Sequence, residues 1–343
     1  MSIAIMLAAL IATGCGPDSD QPPVVIGISY VGVSVADLGS ATEFYADSAG
    51  LTVVESIPLQ QSLALDRLVG REGVAANTTL LRSTNAQLRL MEFTDRSVSS
   101  LATAEVPVYG PGIAHVCFQA ATETETFQKF RANGATPQGA EELIRLNPRN
   151  PVWYAYLRDP DRIMFEVEHV DVAELDLPEP PEHDRRIRHV SIATPDFNRT
   201  VRFYKQLLSN PKPRKIGSWF GGVSGATVDQ VAGVEGAKLA MAWFQVGNLE
   251  LEVIEYKSHP TALPLQPRAV DALGYNMIVF DVVDLDSAKS MLEAAGGLIV
   301  SDIESHATDR IFFGRDPDGN LLGFRLGDDA SPYSSRNFAR PEG

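Results

Sequence analysis

HVSIATPDFNRTVRFY (residues 189–204) has an earlier counterpart, YVGVSVADLGSATEFY (residues 30–45). Each opens with an alternating run that suits a short strand. Each then places an aspartate, Asp196 or Asp37, where a helix would begin, since a short acidic side chain accepts a backbone N–H of the first turn. Each closes on Phe-Tyr, and the phenylalanine stands 14 residues after the first residue of the stretch in both copies. A second pair follows the same logic. GIAHVCFQAATETETFQKFRANGA (112–135) matches GYNMIVFDVVDLDSAKSMLEAAGG (274–297), with 19 residues from His115 to Gly134 and 19 from Met277 to Gly296. These glycines suit helix C-terminal caps.

The closing segments repeat as well. YLRDPDRIMFEVE (156–168) mirrors GRDPDGNLLGFRL (314–326), and AQLRLMEF (86–93) mirrors LELEVIEY (249–256). In both DPD segments a turn dipeptide leads into a strand. His189 lies 159 residues after Tyr30, and Met277 lies 162 after His115. The chain is therefore a duplicated unit in which each half holds two modules of strand, helix and further strands. Residues 26–169 form the first half and 187–328 the second. Between them, 170–186 (VDVAELDLPEPPEHDRR) is acidic, carries three prolines and reads as a linker. Residues 329–343 read as a surface tail.

Composition sets outer bounds. The 343 residues suffice for two domains with real cores, and 44% hydrophobic against 21% charged residues is a globular balance. The formal charge of -15 repels phosphate backbones and argues against a nucleic-acid partner. Residues 1–14 hold an apolar core, Ile3 to Ala12, before Thr13-Gly14-Cys15. This resembles the lipobox of bacterial lipoprotein signal peptides, with Ala12 where leucine is usual and no Lys or Arg before the apolar core. The resemblance implies lipidation of Cys15, a polar tether over 15–25, and an exported, periplasmic, lipid-anchored protein that meets the membrane only through its N-terminus. The other cysteine, Cys117, has no intramolecular partner in that case and reads as a small buried hydrophobe.

A strand with histidine, a helix ending in Phe-Tyr and a DPDGN turn into a last strand together resemble the vicinal oxygen chelate superfamily. That group includes glyoxalase I, methylmalonyl-CoA epimerase, extradiol dioxygenases and the fosfomycin and bleomycin resistance proteins. The resemblance covers nearly the whole chain after the tether. It implies an α+β fold of four βαβββ modules in two tandem halves, paired into cupped mixed sheets. It also implies that a module offers one metal ligand from its first strand and one from its last. Alternate strand residues share a face, so His115, Cys117 and Gln119 point one way while Val116 and Phe118 point toward a helix. At the ligand positions module one has Tyr30 and Arg89, module two His115 and Glu166, module three His189 and Glu252, and module four Met277 and Gly323. Glu250 shares the parity of Glu252 and is a reserve candidate.

Two pairings are open. If modules pair in order, each cup holds one His and one Glu. If two pairs with three, as in four-module single-chain glyoxalases, one cup gathers His115, Glu166, His189 and Glu252, and one with four forms a metal-free cup; this arrangement is favoured. Such a set suits one divalent ion, Zn, Ni, Co, Mn or Fe(II). It implies a glyoxalase-like isomerase or lyase that moves a proton next to a carbonyl of a small molecule. Glu166 and Glu252 are both candidates for the catalytic base, with Glu252 slightly preferred. One alternative is a non-catalytic small-molecule binder of the bleomycin-resistance type; another is an extradiol-type dioxygenase. No glutathione- or CoA-binding signature stands out, and the chain would act as a monomer or homodimer. RKIGSWFGGVSGA (214–226), with Trp219 and Phe220, reads as a flap over the cup or a plain surface loop. Trp153, Tyr154, Tyr156, Trp243 and Phe244 lie on strands and read as core.

Overall fold

The computed structural model describes residues 23–59, 63–94, 96, 105–176, 184–210, 212–217, 222–306 and 309–338. Cys15, most of the tether, Trp219 and Phe220 lie outside the described residues. Module one comprises β1 (Val25–Ser34), α1 (Leu38–Ala49), β2 (Thr52–Pro58), α2 (Leu63–Val69), β3 (Ala76–Arg82) and β4 (Gln87–Phe93). Module two comprises β5 (Gly112–Ala121), α3 (Thr126–Ala132), β6 (Thr136–Pro137), β7 (Ile144–Arg145), β8 (Val152–Arg158) and β9 (Met164–Val170). Module three has β10 (Arg186–Ala193), α4 (Phe197–Leu207), β11 (Arg214–Ile216), β12 (Val223–Ser224), α5 (Ala226–Ala232), β13 (Lys238–Val246) and β14 (Leu249–Tyr256). Module four has β15 (Gly274–Val282), α6 (Leu285–Ala295), β16 (Leu298–Ile299), β17 (Glu304–His306), β18 (Asp309–Arg315) and β19 (Leu321–Leu326).

The helix starts follow from local chemistry. Asp37, Asp196 and Asp284 accept the backbone N–H groups of Ser40, Arg199 and Ser287 at 2.7, 3.0 and 2.7 Å. Gly296 caps α6 in the left-handed region, whereas α3 is capped by Asn133 and Gly134 follows one residue later. One further repeat becomes visible only here. Asp66 and Asp229 each fold the loop after a short helix back on itself, accepting from Gly73 and Val74 and from Gly236 and Ala237.

Two curled mixed sheets result. One runs β11-β13-β14-β10-β5-β9-β8-β6 and joins modules two and three. The other runs β16-β18-β19-β15-β1-β4-β3-β2 and joins modules one and four. The seams are antiparallel, β5 on β10 and β1 on β15. The modules therefore do not pair in chain order. The reason is visible in the residues that tie neighbours in sequence together. Val116 and Phe118 on β5 and Val31 and Val33 on β1 turn away from the cups and share one core with Phe44, Phe127, Phe130, Phe203 and Phe280. Helix packing, rather than strand pairing, joins module one to two and three to four.

Polar contacts fix that association at symmetric points. The Phe-Tyr tyrosines reach across to the DPD turns: Tyr45 donates to Asp159 at 2.8 Å and Tyr204 to Asp316 at 2.9 Å. Modules one and three are tied to each other as well: Asn248 brackets the backbone of Ile28, and Asn85 brackets that of Ile187. The segment read as a surface tail is instead part of the fold. Ser335 donates its backbone N–H to Asp281 at 2.5 Å, Ser29 donates to the Tyr333 carbonyl at 2.6 Å, and Phe338 is buried. Tail residues 339–343 lie outside the described residues.

Burial pushes the Asp159 carboxyl up to about 7 and that of Asp316 up to about 6, against an ordinary value of 3.8. Both groups hold a proton more tightly folded than unfolded. The stability they contribute is therefore complete below about pH 4 and is lost as pH rises through about 6 and 7. In urea titrations from pH 4 to 8, the difference between the wild type and the Asp159→Asn/Asp316→Asn double variant should shift against the wild type across that window; a constant difference would refute this linkage.

Candidate metal centre

The four central strands of the two–three sheet carry the four candidate donors. His115 is on β5, Glu166 on β9, His189 on β10 and Glu252 on β14. The registers explain why they meet. In the antiparallel seam His189 lies opposite Cys117 and Ser191 opposite His115. In the flanking parallel ladders Cys117 lies beside Glu166 and Ser191 beside Glu252. Each module thus presents His-Val-Cys or His-Val-Ser on its first strand, with a glutamate beside the third residue. A pseudo-twofold across the seam aims all four into one cup.

The two Nε2 atoms stand 3.3 Å apart. Glu166 Oε2 lies 3.5 Å from His115 Nε2 and 3.1 Å from His189 Nε2, and Glu252 Oε2 lies 3.6 and 3.5 Å from the same atoms. Donors about 2.1 Å from one ion stand roughly 3.0 Å apart when adjacent in an octahedron and about 3.4 Å apart in a tetrahedron. The His–His and His–Glu separations fall around these values, so the two imidazoles with Glu252 fit a single divalent ion, and Glu166 stands beside both imidazoles. All four side chains are buried, between 1% and 6% exposed. Glu252 Oε2 and both Nδ1 atoms make no hydrogen bond to the described residues. A buried carboxylate oxygen left without a partner is costly, and a cation removes that cost. The His115 ring is instead positioned by packing on Tyr156, with ring centroids 5.0 Å apart.

The electrostatics are mutual. Burial alone would raise the Glu166 carboxyl, but hydrogen bonds and charge from His115 and His189 outweigh it and hold the group well below the usual carboxylate range. Burial alone would lower His189, but Glu252 and Glu166 outweigh it and push the imidazole up. Cys117 is nearer the chemistry than its reading as a buried hydrophobe implied, since its Sγ lies within 4.8 Å of the ligand atoms of Glu166 and His189. Burial, reinforced by Glu166, pushes its thiol well up, which opposes a thiolate ligand. Glu250, the reserve candidate, is ion-paired to Arg188 at 3.6 Å and Arg214 at 3.4 Å.

The cup opens into a cavity of about 450 Å³ bordered by Glu166, His189 and Glu252. Tyr156 and Trp243 are buried, as the core reading expects, and together with Tyr154 they also line the cavity; Phe244 is in the core and Trp153 lies under Arg145. Strand aromatics of one parity face the helix layer, and those of the other face the cup. Val228, Val231 and Ala232 of α5 form an apolar wall. The described parts of the 214–226 segment are strand edges on β13, and Arg214, Ile216 and Val223 also border the cavity. Three arginines reach it. Arg188 is tied to Glu168, and Arg214 stacks on Trp243 at 4.0 Å. Arg186 has no ion pair among the described residues, its Nε lacks a partner, and burial beside Arg188 lowers its pKa.

The model of the Glyoxalase/Bleomycin resistance protein/Dioxygenase superfamily matches residues 27–167 and 186–324. The chain belongs to this superfamily. Among solved structures it is similar to glyoxalase I from Zea mays, with a TM-score of 0.60 and 14% identity over 88% of this chain and 92% of that one. It is also similar to a putative dioxygenase from Bacillus subtilis, with a TM-score of 0.55 and 9% identity over 88% and 86% of the two chains. At these identities the likeness is one of fold. No curated protein matches by sequence. The superfamily's paired-module architecture accounts for the seam that brings His115 and His189 together.

Sequence reasoning missed the arginine cluster and the matched His-Val-Cys and His-Val-Ser triplets. The second signal was present at 115–117 and 189–191. One structural consequence is measurable. Glu168 is fully buried and held by Arg188 and by Gln119 at 2.5 Å. Arg188→Met should leave that carboxylate unpaired and cost about 3–5 kcal/mol of unfolding free energy. A urea midpoint within error of wild type would contradict it.

Proposed function

We propose that the protein is a divalent-metal-dependent isomerase or lyase that moves a proton next to a carbonyl of a small anionic molecule. The observation that carries the reading is the convergence of two imidazoles from two modules, 3.3 Å apart, with a carboxylate of each module 3.1 to 3.6 Å from both of them. His115, Glu166, His189 and Glu252 would hold one ion of Zn, Ni, Co, Mn or Fe(II). When bound, such an ion supplies Lewis acidity that polarises a carbonyl oxygen and stabilises the charge growing there. Glu252 is the better base of the two glutamates. Its Oε2 has no hydrogen-bond donor, whereas Glu166 is held ionised by both histidines. Glu252 takes the proton from the carbon beside the carbonyl and, in an isomerisation, returns it to the adjacent carbon. Tyr156, Trp243 and the α5 wall exclude water from that transfer. Arg186 supplies an anchoring cation for a carboxylate or phosphate of the substrate.

Four donors separate this reading from an oxygenase. A two-histidine, one-carboxylate triad keeps positions open for oxygen and substrate, and Glu166 as a fourth donor would fill one of them. The export expected from residues 1–25 belongs to the same proposal and places the site outside the cytoplasm.

The test combines metal content with proton exchange. Purified protein loaded with Mn, Ni, Co or Zn should retain one ion per chain, and His115→Ala or His189→Ala alone should abolish retention. Glu252→Gln should still bind metal yet lower deuterium wash-in from D₂O, at the carbon beside the carbonyl of a panel of α-hydroxy carbonyl acids, by about 10²–10⁴-fold. Full retention of metal by both histidine variants would sink the shared site. Oxygen uptake with catechols would favour the dioxygenase instead. For the anchor, labelled palmitate should enter the wild type in a bacterial host and be lost in Cys15→Ser; equal labelling would reject lipidation at this residue.

A further inference from the structure

The one–four cup is built on the same frame as the metal cup but carries different chemistry. Tyr30, Arg89 and Met277, which stand where the other cup has donors, line a cavity of about 330 Å³. The fourth equivalent position is Gly323. A Cβ there would sit 2.9 Å from Val279 Cγ2 and 3.2 Å from Phe313 Cε1, so the space for a glutamate is already filled. With a guanidinium and no glutamate at the positions equivalent to the metal donors, the cup lacks the other cup's cation ligands.

It is nevertheless not a plain apolar interior. Among the described residues, three buried polar atoms of residues lining this cavity, Glu55 Oε1, Arg89 Nε and Tyr333 Oη, lack a well-formed hydrogen bond; Glu55 and Tyr333 face each other, and Arg89 reaches Thr78 through Nη2 at 3.4 Å. Several of the remaining partnerless atoms surround the metal cup, including those of Arg186, Trp243, Glu252 and Tyr256. Unpaired buried polar atoms are uncommon, and where they cluster they mark a place for a polar partner. Arg89 lies beside the rings of both Tyr30 and Tyr333, at 5.5 and 5.0 Å, the two rings themselves meeting edge-on with centroids 5.7 Å apart, and it has no ion pair among the described residues. The neighbouring Arg325 differs, being held by Asp281 at 2.7 Å and Asp309 at 2.8 Å. Tyr333 is not a stray side chain. Its segment is anchored by Ser29, by Ser335 on Asp281 and by Arg82 on the Pro332 carbonyl at 2.7 Å. The chain's last described segment thus completes the wall of this cavity. Apolar walls from Ile57, Leu65, Met91 and Phe313 surround the polar atoms. The volume and the mix of apolar wall with few polar groups are those of a small-molecule site.

We propose that the one–four cup is a second, metal-free ligand site for a flat apolar molecule carrying one anionic group, bound by Arg89, and one hydrogen-bond donor, accepted by Glu55. The site is independent of the chemistry assigned to the metal cup.

The probe is 8-anilinonaphthalene-1-sulfonate, which has an aromatic body, a sulfonate and an N–H donor. Fluorescence titration of the full chain should show a saturable component. Arg89→Met should weaken that component at least tenfold, and Met277→Trp, which fills the cavity from β15, should abolish it. Arg186→Met, in the other cup, should leave it unchanged. Circular dichroism melts establish that each variant is folded, and Met277→Trp decides if Arg89→Met is not. Absence of saturable binding, insensitivity to both one–four variants, or loss only with Arg186→Met would each overturn the proposal. Metal content does not enter this readout, so the result is separate from the fate of the metal-site reading.

Discussion

The antiparallel pairing of β5 with β10 is the contact on which the candidate site depends. These strands come from different halves of the chain, and their register sets His189 opposite Cys117 and His115 opposite Ser191. Side chains alternate between faces with period two, so a slip of one strand by one residue would turn its imidazole away from the cup and leave the other without its partner. Neither module holds a site alone. One His and one Glu make a poor catalytic metal site, and the seam converts two such halves into one constellation.

What keeps the seam in place is largely remote from the cup. The helices pack module one on two and three on four, and the shared core couples the two sheets. Tyr45 on Asp159 and Tyr204 on Asp316 bind the same pairs through buried hydrogen bonds. Tyr275 adds a link between sheets, accepting from the Val116 N–H at 3.2 Å and donating to the Met164 carbonyl at 3.0 Å. Both atoms sit next to functional positions, His115 on β5 and the strand that carries Glu166. The backbone that aims the donors is thereby braced from behind by the sheet that has none of them.

Much of this was legible in the sequence, and the limits have physical causes. The internal repeat fixed the module count, because strand, capped helix and DPD turn recur at constant spacing. The four donors could be named because strand parity is a local property. Pairing was less accessible: the linker over 170–186 is compatible with either partner, and the choice is made by non-local burial of β1 and β5 against the helices. That Tyr154, Tyr156 and Trp243 also line the cavity was not legible, because a strand between a helix layer and a cup buries aromatics on both faces. The tail was misread because its anchoring groups, Asp281, Ser29 and Arg82, are distant in sequence and their interaction with residues 332–335 leaves no periodic signal.

The two cups show how little of the chemistry the frame dictates. Both have an antiparallel seam, parallel flanking strands and a short helix at the mouth whose aspartate closes the following loop. In one, donors at four equivalent positions enclose a point suited to a cation. In the other, Gly323 has no room for a side chain, Met277 adds only bulk, and Arg89 places a positive charge where the ion would be. The exchange from Glu252 to Arg89 at matched strand positions reverses the sign of the field in the cup. The frame thus presents a carboxylate at this position in one cup and a guanidinium in the other, and Tyr333 of the C-terminal segment lines the cup that lacks the four donors.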